Sequence, residues 1–212
     1  MKALLLAGAA MCCAVPSLAS VQVATFGQTS GSNTITATVN GADTQTTLTA
    51  NATIDLTQFL NGPLAGVNFD MTATSIDSAT SVGAAVIQHY SGSFCISTGP
   101  GCGGTDLLSG TFSDAAFGAL GGPGLVINVN NPPDTLALHS DVIAASELQA
   151  PSSFGLTFTN LQPALAILGT TIAPFDASFS GDVSASAVPE PMPLALLGVG
   201  LLGLTLVRWR HS

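Results

Sequence analysis

Between its two ends the chain alternates apolar and small polar side chains with period two, and Gly, Pro, Asn, Asp or Ser interrupts the pattern at short intervals. Period two belongs to strands, whose successive side chains point to opposite faces. Thr34-Ile35-Thr36-Ala37-Thr38-Val39 stops at the turn dipeptide Asn40-Gly41, and Thr46-Thr47-Leu48-Thr49-Ala50 resumes, which predicts a β-hairpin. Further strands are expected at Val67 to Ala73, Ala84 to Tyr90, Ser93 to Ser97, Leu107 to Phe112, Leu125 to Val129, Leu136 to Ala144, Phe154 to Thr159 and Phe175 to Ala185. The similar fragments Ser91-Gly92-Ser93-Phe94 and Ser109-Gly110-Thr111-Phe112 flank a cysteine loop and fit two paired strands of one hairpin. A short helical turn is expected near Ser113 to Leu120. Many short strands at this spacing predict an all-β ectodomain, an antiparallel β-sandwich of jelly-roll-like or Ig-like type. The segments Gly121 to Gly124 and Asn128 to Asp134 read as loops within one domain.

Charge narrows the functions such a domain can have. The only basic residues are Lys2, Arg208 and Arg210, so the middle, from Ser20 to Pro189, has neither Lys nor Arg. Nucleic-acid binding draws most of its affinity from cations that neutralise phosphates, and it is excluded as a partner. With few charges of either sign, solubility rests on hydroxyls, amides and scattered aspartates, a surface suited to an extracellular setting.

The N-terminus has a secretory pattern: Lys2, an apolar run from Ala3 to Val15, a break at Pro16, and small residues Ser17 and Ala19 around Leu18. Residues 1–19 are therefore expected to be a signal peptide cut after Ala19, with the ectodomain at 20–187 and a tail at 188–212. Cys12 and Cys13 lack the small preceding residue that lipid attachment requires, since Met11 stands there. Two cysteines remain after cleavage, Cys95 and Cys102, in a compartment where disulfides persist, and a structural disulfide is expected. A redox or metal pair would want closer spacing or a second pair of ligands nearby.

Few catalytic constellations survive this inventory. His89 and His139 are the only histidines in the middle, and each reads as a strand residue rather than a base. No Gly-x-Ser-x-Gly elbow is present and no cation could support an oxyanion, so the chain is not expected to be an enzyme, a secreted hydrolase being the least favoured reading. Acids occur singly, as at Asp43, Asp55, Asp70, Asp77, Asp106, Asp114 and Asp134, without a calcium-loop pattern, so neither a metal site nor a cofactor is assigned. Calcium assembled from distant loops, and sugar attached to the threonines, stay open.

The tail changes character at Val188-Pro189-Glu190-Pro191, continues as an apolar run from Met192 to Val207, and ends Arg208-Trp209-Arg210-His211-Ser212. Two prolines hold the backbone extended, a form a processing enzyme can grip. The run would span about 24 Å as a helix against roughly 30 Å of hydrocarbon, so a transmembrane helix at 192–207 is expected, with Arg208, Trp209 and Arg210 as membrane-stop residues. This order resembles the PEP-CTERM sorting signal, with Pro189, Glu190 and Pro191 as the sorting motif, over about the last twenty-five residues. The resemblance implies processing by an exosortase, a membrane-embedded cysteine protease or transpeptidase. It also implies a chain carried through the inner membrane of a Gram-negative bacterium, held there transiently, then left at the cell surface or in the matrix, with exopolysaccharide as a candidate partner. The function expected is that of a surface or matrix structural protein without catalysis. The alternative is a carbohydrate-binding β-sandwich module in which Tyr90 and Asn or Asp side chains would contact sugar.

Overall fold

Alternation persists further along the chain than the punctuation implies, and the strands are correspondingly long. In a computed structural model, residues 20–186 are described apart from 30, 32, 60–61, 84, 119–122 and 129–132. The strands are β1 (Ser20–Gln28), β2 (Ile35–Val39), β3 (Thr46–Phe59), β4 (Leu64–Ser75), β5 (Thr80–Val82), β6 (Ala85–Gly99) and β7 (Gly103–Phe117). They continue as β8 (Gly124–Asn128), β9 (Thr135–His139), β10 (Gln149–Gln162), β11 (Ile167–Leu168), β12 (Thr171–Ile172) and β13 (Phe175–Ser186), with a 3-10 turn at Ala145–Glu147. The Thr34 to Ala50 hairpin forms with Val39 opposite Thr46 and Ile35 opposite Ala50. The two similar fragments also pair as expected, Ser93 facing Thr111 and Phe94 facing Gly110. The helical turn at 113–120 does not form in the part described, because β7 runs on through Phe117.

The sandwich expectation is overturned. Going round from β1, the neighbours are β13, β10, β8, β7, β6, β4, β3 and β1 again, all antiparallel, so eight strands close into one barrel. The closing seam is the ladder between β6 and β7, each 15 residues long. A sandwich would leave two sheets with free edges facing each other, whereas here the hydrogen bonds run unbroken round the core. What makes the strands long is that they bend at bulges instead of stopping. β6 passes straight through Ser91-Gly92, and the register shift opposite it, between Tyr90 and Gly92, is taken up by an extra residue in β7 between Phe112 and Ala115. Among the described residues no helix is long and apolar enough to cross a membrane. The stretch at 192–207, expected to cross as a helix, lies outside the described residues, as do the signal segment 1–19 and the whole of the tail.

Two barrel positions are filled by broken strands. β1 and β2 both lie between β3 and β13, one beyond the other. β8 and β9 share β7 in the same way, β8 near Phe117 and β9 against Ser109 to Ser113, but only β8 has a ladder with β10. Among the described residues the outer edge of β9 is hydrogen-bonded to no strand.

An eight-stranded barrel is just wide enough to be filled by its own side chains. All ten phenylalanines are buried, and several interlock across the lumen. Phe94 stacks on Phe154 at 4.2 Å between centroids, and Phe69 lies 4.9 Å from Phe179 and 5.3 Å from Phe26. Space for these rings comes from two inward glycines: a Cβ at Gly110 would come within 2.6 Å of Phe94, and one at Gly181 within 2.5 Å of Phe26. Large and small residues therefore alternate across facing strands.

One end of the barrel is closed by polar groups. Gln88 is fully buried; its amide donates to the Asp77 carbonyl at 2.8 Å and to the Thr171 hydroxyl at 2.9 Å. Its Oε1 accepts from the Tyr90 hydroxyl and from the Ile172 backbone N–H. Replacing Gln88 by alanine leaves several buried groups without partners, each worth about 1–3 kcal/mol. A loss of roughly 3 kcal/mol is expected by urea unfolding, and a loss under about 0.5 kcal/mol, the level of an ordinary surface change, would contradict the network.

Candidate functional site

The outer surface carries hydroxyls in register. Across β2, β3, β4 and β6 the outward row reads Thr36, Thr49, Thr72 and Ser93, each opposite the next. It continues into a shallow depression of about 430 Å³ over β6, β7 and β9. Three rungs build that depression. Ser93, Thr111 and Ala137 face one another on the first, Cys95, Ser109 and His139 on the second, and Ser97 meets Asp106 on the third. Ala137 stands in a row of hydroxyl residues, and its short side chain leaves room there.

Asp106 is the chemical centre of this surface. Three residues apart on a regular strand, Asp106 and Ser109 would point to opposite faces. A register shift between Ile96 and Ser97 adds a bulge at this point, so that both Leu107 and Leu108 are buried and Asp106 turns outward beside Ser109. The Ser109 hydroxyl donates to Asp106 Oδ2 at 2.6 Å, and His139 Nδ1 lies 3.0 Å from the same oxygen. Asp106 Oδ1 is shielded from solvent and has no donor among the described residues. The backbone N–H of Asp106 donates to Asp141 Oδ2, and that of Asp141 donates back to the Asp106 carbonyl, fixing the loop that follows β9. His139 itself is 71% exposed, free to meet a ligand.

A second histidine–carboxylate pair lies at the other end of the barrel. His89 Nδ1 is 2.5 Å from Asp77 Oδ2, and the His89 backbone N–H donates to Asp77 Oδ1. Among the described residues no hydroxyl is hydrogen-bonded to that pair. In both pairs the imidazole stands on an exposed or half-buried strand position, in keeping with the sequence reading of these histidines. Tyr90 does not fit its expected role in sugar contact: it is fully buried, and loss of solvent raises its phenol well above the usual range.

Cys95 and Cys102 stand at disulfide distance, their Cα atoms 5.8 Å apart. Asp70 braces the loop between them, accepting from the backbone N–H groups of Gly101 and Cys102 and from the Asn51 amide. Asp70, Cys95 and Cys102 bring possible ligand atoms within 4.8 Å of one another, but two sulfurs directed at each other and a carboxylate already engaged by three donors do not make a metal site. Closing so short a loop constrains the unfolded chain by about 2 kcal/mol. Changing both cysteines to alanine should lower stability by about that much. Non-reducing peptide mapping of the protein should find the two cysteine peptides joined, and free thiols at both positions would contradict the pairing.

Pro189, Glu190, Pro191, Arg208, Trp209 and Arg210 lie outside the described residues, so only Cys95 and Cys102 of the sequence-assigned site residues have a place in the fold. Their loop borders the depression. The sequence reading missed the grouping of Asp106, Ser109 and His139, because the pattern places Asp106 and Ser109 on opposite faces and nothing local marks the bulge. The one available signal was Leu107-Leu108, two adjacent large apolar residues that break the alternation. No protein-family model, curated protein or solved structure matches this chain.

Proposed function

We propose that this chain is an exported, exosortase-processed protein of the cell surface or extracellular matrix of a Gram-negative bacterium, with a structural rather than a catalytic role. The observation that carries this reading is the order at the C-terminus: Pro189-Glu190-Pro191, an apolar run, then Arg208-Trp209-Arg210. A barrel packed with phenylalanine and free of Lys and Arg is a durable, weakly interacting body, as a matrix component requires. The Asp106 group supports the non-catalytic part. Nucleophilic catalysis needs the imidazole between the hydroxyl and the carboxylate, whereas here both Ser109 and His139 bond to the carboxylate.

The test is mass spectrometry of the C-terminal peptide in cells with and without the sorting enzyme. The surface form should end near residues 189–191 when the enzyme is present and keep the full tail when it is absent. A surface form that still carries Arg208 to Ser212 in cells with the enzyme would falsify the processing claim.

A further inference from the structure

We propose that the depression over β6, β7 and β9 binds a cationic amino-sugar unit of a polysaccharide, with Asp106 as the residue that receives the ammonium group. The inference rests on the reading of the domain as a matrix protein and names its partner by charge and shape.

Shape comes first. The concavity has the size of a small-ligand site. Its floor is apolar, formed by the Cys95–Cys102 pair, Ala137 and the edge of Leu138. Hydroxyls of Ser93, Ser109 and Thr111 stand around that floor. A sugar ring has the same division of character, with C–H groups on its faces and hydroxyls on its rim, and a ring lying on the floor would direct its hydroxyls toward the serines and threonine. Among the described residues the one aromatic side chain at this depression, Phe94, is buried, so stacking cannot be the main source of affinity and electrostatics must contribute.

Charge then selects the sugar. Within residues 20–186 there are eleven carboxylates and no Lys or Arg, and the depression contains Asp106 with no fixed cation beside it. Uronate or sulfated polymers are repelled by such a surface, and neutral ones gain nothing from it. A polymer with free amino groups is attracted both at long range and at the site. Asp106 lines the depression with a quarter of its side chain exposed, and its Oδ2, which accepts from the Ser109 hydroxyl and faces His139, carries a charge that no Lys or Arg in residues 20–186 offsets. A carboxylate in that condition gains from an ammonium donor, because charge-assisted hydrogen bonds are the stronger kind. The Asp77–His89 pair has an equal charge but lies at the opposite end of the barrel, away from this concavity.

The experiment measures binding of glucosamine oligomers to the exported protein by calorimetry near neutral pH, with N-acetylglucosamine oligomers and uronate oligomers as parallel probes. Glucosamine oligomers should bind at least tenfold more tightly than the N-acetylated ones, uronates should not bind, and raising the salt should weaken the binding. Asp106→Asn should reduce affinity at least tenfold, and Asp77→Asn, which removes the same charge elsewhere, should reduce it less than twofold. Ala137→Phe keeps every charge but fills the floor; it should abolish binding, which guards against a misfolded Asp106→Asn. Equal losses for Asp106→Asn and Asp77→Asn would overturn the site and leave only diffuse attraction. Equal binding of the N-acetylated oligomers would overturn the charge argument. Neither result bears on the C-terminal peptide, so the sorting reading stands or falls separately.

Discussion

Phe154→Ala should cost the domain about 3–5 kcal/mol, the largest stability loss expected of any single core truncation in the barrel. Phe154 is fully buried on β10, stacked against Phe94 of β6 at 4.2 Å and 12° and lying 5.8 Å from Phe112 of β7. It therefore ties the far wall of the barrel to the seam that closes it. Removing the ring deletes its transfer free energy and leaves a void lined by other rings, which β-strands held by hydrogen bonds on both sides cannot collapse to fill. Against a total stability of roughly 5–15 kcal/mol, the urea midpoint should fall by about 1–3 M. Thr36→Ala, on the exposed outer row, should shift stability by no more than about 0.5 kcal/mol. Similar midpoints for the two variants would mean that the phenylalanine core does not hold the barrel closed.

The same ring explains how far the fold could be read in advance. Strand content, antiparallel pairing and the Ser93 to Thr111 hairpin follow from local alternation and turn chemistry, and each forms. Whether strands make two sheets or one closed sheet depends on contacts such as Phe94 with Phe154, sixty residues apart, and alternation reads the same for both architectures. Gly92 is the instructive residue. As a strand breaker it divides Ala84 to Ser97 into two short strands, which favours a sandwich; as a point of close approach, where a Cβ would lie 2.2 Å from the Thr72 carbonyl oxygen, it lets one long strand pass against β4, which favours a barrel. A glycine inside a strand has both meanings, and only its partners decide between them.

The site was less legible than the fold for a related reason. His139, Asp106 and Ser109 were all visible as residues, but their meeting needs two long-range facts: β9 pairing with β7, and the bulge that turns Asp106 outward. Period-two reasoning assigns Asp106 and Ser109 to opposite faces and so separates the groups that the bulge unites. The cysteine pair was legible because it is separated by only six residues and is all that remains once the expected signal peptide is removed.

Two changes in the tail should send the protein to opposite fates. Glu190→Ala or Pro191→Ala leaves the export signal and the apolar stretch intact, so the chain should still leave the cytoplasm and be caught at the inner membrane. On the proposed sorting reading, in which the processing enzyme grips the extended Pro-Glu-Pro segment, it should then stay there uncut. Deleting Met192 to Ser212 removes the apolar stretch and Arg208 and Arg210, which the proposed topology places on the cytoplasmic side. That chain should pass fully into the periplasm as a soluble barrel, never meeting an enzyme embedded in the membrane. The barrel itself, complete by Ser186, should fold in both cases, so cysteine pairing and urea midpoint should match those of the unaltered domain. Fractionation with immunoblotting reads the outcome, and the expected effect is nearly complete redistribution in each case. Deletion and point variants appearing together at the cell surface would show that the tail does not direct sorting, and the position of Pro189, Glu190 and Pro191 after the last strand would then be only that of a spacer.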